Sequence, residues 1–472
     1  MSWAATPARA MLKLAWPITV STLSYATMTL VSTAFVARVG ADALAGVGLA
    51  AVLGFALLCF GIGLARGVKT LVAQSRGAGR LDRIDDYLAA ALGVALAIGL
   101  VATAIAWIIA PALDRICATA AAADAASSYL RVRMTGAAIV LCMAAMREVR
   151  YGEGDTVGPM RATLAANVVN IAGDVVLVLV LHQGVVGAAV ATLLGTVTEA
   201  ALVALPLWPR LRRLALHRDA LVAVWREGVG NGVQFLLEVG AFLLLTAVIA
   251  GMSSRQAAAH QLVLQVVNVS FLPAHALAEA STILVGQAVG ASRYELVSSV
   301  ARRALALSLG YALACSAVVA IAGDAVAGAL SGDDRELAIV AAGLLHVSLL
   351  FLWSDAINVV GRGVLRGASD VRWVARVAVL TSWLTTPPLA WLFGVRLGGG
   401  AAGGWLAIAL EISLGAALFW HRILRQRWRA SAEAARREVH AIARAPAVGA
   451  VSAVAEDVAA DAERAEDEPV PA

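Results

Sequence analysis

Between Tyr87 and Ala110 the chain reads YLAAALGVALAIGLVATAIAWIIA, without a single charged residue. About 20 such residues form a helix long enough to cross the hydrocarbon layer of a membrane. Only helices and closed barrels can do this, because each backbone N–H and C=O must find its partner inside the structure. Similar stretches recur along almost the whole sequence, and none alternates in the manner of a barrel strand. Charged residues make up 15% of the chain and hydrophobic ones 60%, whereas a soluble domain carries about a quarter charged residues. The sequence therefore specifies an all-α polytopic membrane protein. Its first apolar segment, from about Met11 to Val36, is too long for a signal h-region, so no cleaved signal is expected.

Divided at charged and turn-rich breaks, the chain predicts about twelve spans, near 12–37, 45–72, 86–111, 127–149, 160–182, 185–207, 226–251, 257–288, 298–322, 337–364, 372–394 and 401–421. Most basic residues then fall on one side, among them Arg66, Lys69, Arg76, Arg147, Arg210, Arg362, Arg366 and Arg422. The other side has Arg38, Arg115, Arg131, Arg133, Arg255, Arg335 and Arg396. Cytoplasmic loops hold the positive excess, which places both termini in the cytoplasm of a multi-pass plasma-membrane protein. The same topology accounts for the net charge of +5. The basic residues do not form a domain with interleaved aromatics, so no nucleic acid partner is expected. After residue 422 the composition shifts to Ala with Arg, Glu and Asp, and residues 423–472 are expected to be a disordered cytoplasmic tail, with a short amphipathic helix near AEAARREVHAIARA as the alternative.

An internal repeat divides the remainder. LVAQSRGAGR (71–80) aligns without a gap on LVGQAVGASR (284–293), matching Gln74, Gly77 and Arg80 with Gln287, Gly290 and Arg293 at an offset of 213. Asp155 in YGEGDT stands opposite Asp370 at an offset of 215. Two six-helix lobes follow, 1–210 and 211–422. Six spans per lobe give both the same orientation, so they are related by an axis along the membrane normal, as in transporters that rock two repeats around a central site.

An ionisable residue inside a span is expensive and faces a bundle interior or a water-filled cavity, which makes it a functional candidate. Glu238 in QFLLEVGAFLLL, Asp355 in LLFLWSDAINVV and Asp174 in the fifth span qualify, with Glu199 and Glu411 nearer the predicted ends. Deprived of solvent, Asp355 could bind and release protons or pair with a cationic ligand. Asn170 and Asp174 lie four residues apart on one helix face. With Thr192 they offer amide, carboxylate and hydroxyl oxygens, read either as a hard-cation site or as a plain interhelical polar cluster. His260 and Gln261 have no second His or Cys at ligand spacing, so His260 is expected to be packed and no metal site is expected. Cys59, Cys117, Cys142 and Cys315 read as buried small hydrophobes. Pro17 and Pro273 are expected to bend their spans. There is no P-loop, nucleophile elbow, HExxH or Rossmann glycine pattern in a suitable setting, which argues against an enzyme or an ATP-driven pump.

The stretches WPITVSTLSYATMTLVSTAFVARVGADALAGVGLA, FLLEVGAFLLLTAVIAGMSSRQAAAHQLVLQ and SDAINVVGRGVLRGASD, with the paired VAQSRGAG and VGQAVGAS segments, resemble the multidrug and toxic compound extrusion (MATE) transporters. The similarity covers nearly everything before the tail. It implies two six-helix lobes around a V-shaped cavity, and export of amphipathic organic cations by a monomer in exchange for H+ or Na+, without a cofactor. Glu238 and Asp355 fall on functional acids of the family's second lobe, and Asn170, Asp174 and Thr192 on a polar cluster of its first. Where the family's first span commonly reads VDTxxVG this chain reads VSTAFVA, so Ser32 replaces the usual aspartate. The runner-up is a lipid-linked saccharide flippase of the same superfamily, which would line its cavity with basic residues.

Overall fold

The computed structural model describes residues 2–441. Their regular structure is entirely helical, with eleven helices long and apolar enough to cross a membrane, or twelve when one bent pair counts as a single span. The first lobe runs through α1 (Pro7–Ala37), α2 (Ala41–Gly77), α3 (Asp82–Ile109), the bent pair α4 (Ala120–Thr135) and α5 (Ala137–Gly152), α6 (Val157–Asp174) and α7 (Gly184–Ala204). A short helix, α8 (Trp208–Leu211), leads into the second lobe: α9 (Arg218–Ala250), α10 (Ser254–Gly290), α11 (Glu295–Ser331), α12 (Arg335–Gly367), α13 (Val371–Ala390) and α14 (Gly400–Leu424). The predicted fourth span bends by 47° between α4 and α5, at Gly136. A Cβ there would lie 2.4 Å from Leu193, so the bend lets α5 pass close to α7.

The repeat is visible in the backbone as well as in the letters. The fifth span of each lobe finishes in a π-helical turn, Val175–Val180 and Trp391–Arg396. Five spans end at the basic face with a left-handed residue, Gly79 and Gly154 in the first lobe, Ser292, Ser369 and Gln426 in the second. Each is followed by an N–H that reaches back five residues, as in Arg80 to Ser75 and Arg293 to Ala288. This closing motif satisfies helix carbonyls that would otherwise be orphaned.

The matched residues of the repeat meet one another. Near the ends of α2 and α10, a Cβ on Gly77 would sit 2.1 Å from the carbonyl oxygen of Gln287, and one on Gly290 would sit 1.9 Å from that of Gln74. Only glycine permits this approach. The Gln74 side chain donates to the Gly367 carbonyl (3.1 Å) and to Ser369 Oγ (2.9 Å), while Gln287 Oε1 accepts from Trp3 Nε1 (2.8 Å). The lobes are thus sealed at the end that carries the first residue of α1 and the last of α14.

Each lobe also inserts the start of its first helix into the other. Met11, Leu14, Ala15 and Ile18 of α1 belong to a core formed mostly by α10, α11, α12 and α13. Ala220, Ala223 and Val224 of α9 belong to the core of the first lobe.

Part of the expected tail is ordered. Residues Arg429–Ala441 form a further helix, α15, at the sealed end. Trp428, Ala432 and Val439 are buried, Ser431 donates to Asp370 (3.0 Å), Arg226 pairs with Glu438, and Arg80 donates to the Val439 carbonyl (3.3 Å). Disorder over the whole of 423–472 is therefore corrected: the apolar residues of this stretch recur at helical spacing, and they find a docking surface made by both lobes. Residues 442–472 lie outside the described residues.

Candidate functional site

Ionisable and polar side chains collect at three places inside the helical body. In the first lobe α1 brings Ser32 against α6, where Asn170 and Asp174 are fully buried. Ser32 Oγ lies 2.6 Å from Asp174 Oδ2 and 2.9 Å from Asn170 Oδ1. A hydroxyl has one hydrogen, and Asp174 at the shorter distance takes it. The second contact then requires the Asn170 amide to be turned so that its NH2 donates to Ser32, which also provides for an otherwise unpartnered buried Nδ2. Asp174 Oδ1 has no hydrogen-bond partner. Thr192 Oγ1 is committed to the Ala188 carbonyl of its own helix at 2.9 Å. Ser32, Asn170 and Asp174 form one cluster.

In the second lobe Glu238 of α9 is not a solitary carboxylate. Its Oε1 accepts from Arg362 Nη1 at 2.7 Å and from Gln234 Nε2 at 3.1 Å. Arg362 lies two turns along α12 from Asp355, so both reach the same face. Glu411 of α14 is buried and accepts from Thr381 (3.1 Å) and Ser382 (3.3 Å). Asp355 Oδ2 is buried with no hydrogen-bond partner. A cavity of about 310 Å³ lies between α10, α11 and α12, lined by Val266, Ser270, Tyr311, Cys315 and Leu345 among others. A recess of about 10 Å³ shares Ser270, Tyr311 and Cys315 with it and ends on Asp355.

The first lobe repeats part of this plan. Arg147 of α5 faces Glu199 of α7 at 3.9 Å, and Glu199 accepts from Thr163 at 2.7 Å. Arg362, Glu411 and Thr381 make a similar set in the second lobe at a shifted register, but there the arginine turns toward Glu238.

The third place is the contact between the lobes. Lys69 of α2, only 2% exposed, pairs with Glu148 of α5 at 2.8 Å and with Glu279 of α10. His275, one turn before Glu279, has its Nδ1 3.9 Å from Glu279 Oε1. Sequence reasoning missed this set and Arg362, because Lys69, Arg66, Arg147, Arg362 and Arg366 are all counted there with the basic excess of the cytoplasmic side. They lie within helices, and Lys69 is enclosed. Glu279, carried inside the predicted eighth span, was the available signal.

His260 stands apart from these clusters. Trp405 Nε1 donates to its Nδ1 at 3.1 Å, which leaves Nε2 carrying the hydrogen toward Thr246 Oγ1 at 3.3 Å. It is a packed, fully partnered histidine, as expected, while its neighbour Gln261 is exposed. No group of three or more His, Cys, Asp or Glu residues among the described residues could hold a metal ion.

The folded chain overlays on a multidrug-resistance MATE transporter of the MOP superfamily in an outward-facing conformation with a TM-score of 0.82, at 22% identity, over 90% of this chain and 97% of that one. A MATE crystal structure in a bent conformation gives 0.83, at 22% identity, over 91% and 97%. A probable multidrug resistance protein NorM of Bradyrhizobium diazoefficiens is 32% identical across 84% of this chain and 89% of its own length. One from Pseudomonas putida is 29% identical across 87% and 93%. The MatE family profile matches residues 17–176 and 232–392, one stretch in each lobe. On that match and on the shared two-lobed architecture, the chain belongs to the MatE family of membrane transporters.

Proposed function

We propose that this transporter is a monomeric secondary antiporter of the plasma membrane that exports amphipathic organic cations in exchange for inward-moving H+ or Na+, by alternating access and without an enzymatic step. The observation that carries the reading is Asp355. It is half-buried, with Oδ2 enclosed and without a hydrogen-bond partner, an unfavourable arrangement unless a cation or proton visits it. Its recess of about 10 Å³ has room for no more than about one water-sized species. In this sealed state it suits a small coupling ion better than an organic molecule. Asp174, with one free oxygen beside Ser32 and Asn170, is a second acid available for exchange. The basic excess at the sealed end supports cytoplasmic termini and an outward-opening conformation.

The test is accumulation of a fluorescent organic cation inside inside-out vesicles with a proton gradient, a sodium gradient, both or neither. Uphill transport under at least one gradient is expected. Downhill leakage alone under every condition sinks the antiport reading. One observation favours the flippase alternative: Arg66 and Arg366 are partly exposed within α2 and α12, and neither has an acidic hydrogen-bond partner. Release of a labelled anionic lipid-linked saccharide, with no cation efflux, would establish that alternative.

A further inference from the structure

Ser32 stands where an aspartate is usual, and Glu238 already has Arg362 as a built-in counter-ion. The most enclosed acid–base set lies elsewhere, where α2 and α5 of the first lobe meet α10 of the second. Two carboxylates, Glu148 and Glu279, share the single ammonium of Lys69. The groups facing Glu279 are Lys69 and Arg66 from α2, Glu148 and Tyr151 from α5, His275 from α10 itself, and Arg366 from α12.

The partners divide unequally between the lobes. Lys69 and Glu148 belong to the same lobe and stay together whatever the lobes do. Glu279 belongs to the other. When the seal at Gly77 and Gly290 opens, Lys69 keeps Glu148 and leaves Glu279 behind on α10. A carboxylate that loses its ammonium in such a place, keeping only His275 and Arg366 of its own lobe nearby, is less favoured in its charged form. It can be carried through the opened state once it has accepted a proton. Pro273, two residues before His275, interrupts the hydrogen bonding of α10 at this level, which lets the segment that carries both residues move.

We propose that Glu279 is a proton-coupling site, and that the cation it exchanges for a proton is the Lys69 ammonium of the opposite lobe. This rests on the antiport reading given above and deepens it by assigning the coupling ion. One proton entering from the outside is taken up by the Glu279 carboxylate as its ion pair with Lys69 breaks. The protein then opens at the basic end, the proton leaves to the cytoplasm, and the re-formed carboxylate draws Lys69 back and reseals that end. One proton moves inward per cycle, and Lys69 keeps Glu148 as a partner in both end states.

The experiment uses the full chain in proteoliposomes, on a background without the native cysteines. Spin labels on Arg76→Cys and Arg372→Cys report separation of the lobes at the basic end. Both positions are exposed and lie on opposite lobes. The unsubstituted site should keep this end closed in alkaline buffer and open it in acid. Glu279→Gln, a permanent mimic of the protonated group, should open it in both, lose uphill efflux driven by a proton gradient, and retain substrate counterflow. Glu279→Asp should restore the pH response. Full proton-driven accumulation by Glu279→Gln overturns the proposal, as does transport driven by sodium alone. Should the amide variant fail to insert, the parent decides: a label distance that does not respond to pH also overturns it. Absence of uphill transport by the parent under any gradient defeats instead the antiport reading on which the site rests.

Discussion

Arg362 of α12 holds Glu238 of α9 at 2.7 Å, with the two side chains 16% and 22% exposed. A guanidinium so placed does what an exchanged cation would otherwise do. Truncating either partner strands the other, and the loss for a buried pair is about 3–5 kcal/mol, less for one that still sees solvent. Arg362→Gln is expected to lower the melting temperature and to make Glu238 available, tightening binding of an organic cation. The Glu238→Gln, Arg362→Gln double variant should recover much of the lost stability. A thermal-shift cycle over the four proteins measures this. Strictly additive losses would mean that the pair is not energetically coupled.

Asp355→Asn is expected to abolish gradient-driven efflux while leaving the melting temperature unchanged or higher. The native carboxylate satisfies none of its neighbours, so replacing it removes a charge without breaking a bond. Vesicle transport and melting measured on the same preparation separate this outcome from simple unfolding. A marked drop in stability would show that Asp355 is structural.

Among the described residues, Ser32 supplies the only hydrogen bond to the Asp174 side chain. Ser32→Ala should destabilise the first lobe by about 1.5–3 kcal/mol, the range for a bond to a charged group, with the loss greatest where Asp174 is ionised. Urea unfolding in acidic and neutral buffer tests this. An equal loss under both conditions would show that Asp174 stays protonated.

Deleting residues 442–472 should leave melting and transport unchanged. Deleting 429–472 should not. It removes the Arg226–Glu438 pair and the Ser431–Asp370 and Arg80–Val439 bonds, which tie α15 to both lobes. The longer deletion is expected to weaken closure of the basic end, read as increased accessibility of a cysteine introduced at Gln74. Tolerance of both deletions would make α15 dispensable.

Charge in an apolar run made Glu238, Asp355 and Asp174 legible, since the price of an intramembrane acid makes it stand out in any window of sequence. The span number and the duplication were legible for similar reasons: the bilayer fixes helix length, and a matched Gln, Gly and Arg cannot come from apolar composition. Arg362 was not, because an arginine near a helix end looks like a loop charge until the neighbouring helix supplies Glu238. Lys69 was hidden in the same way. Its two partners lie 79 and 210 residues away, and no local pattern connects them. For α15 the local composition suggested disorder, whereas the surface that holds it is assembled from Arg80, Arg226 and Asp370.

The contact at Gly77 and Gly290 has the form of a handshake between copies. Gly77 rests on the backbone of Gln287, and Gly290, the copy of Gly77, rests on that of Gln74, the copy of Gln287. Such reciprocity is the mark of an isologous interface, where one surface recognises itself through a two-fold axis. A single six-span half bearing this glutamine and glycine already has what it needs to pair with a second half lying in the membrane the same way up. Here the segment around α8 joins the two halves, which keeps that pairing within one chain and allows them to differ. The outcome is an asymmetric charge at a symmetric joint, with Lys69 on one half and Glu279 on the other.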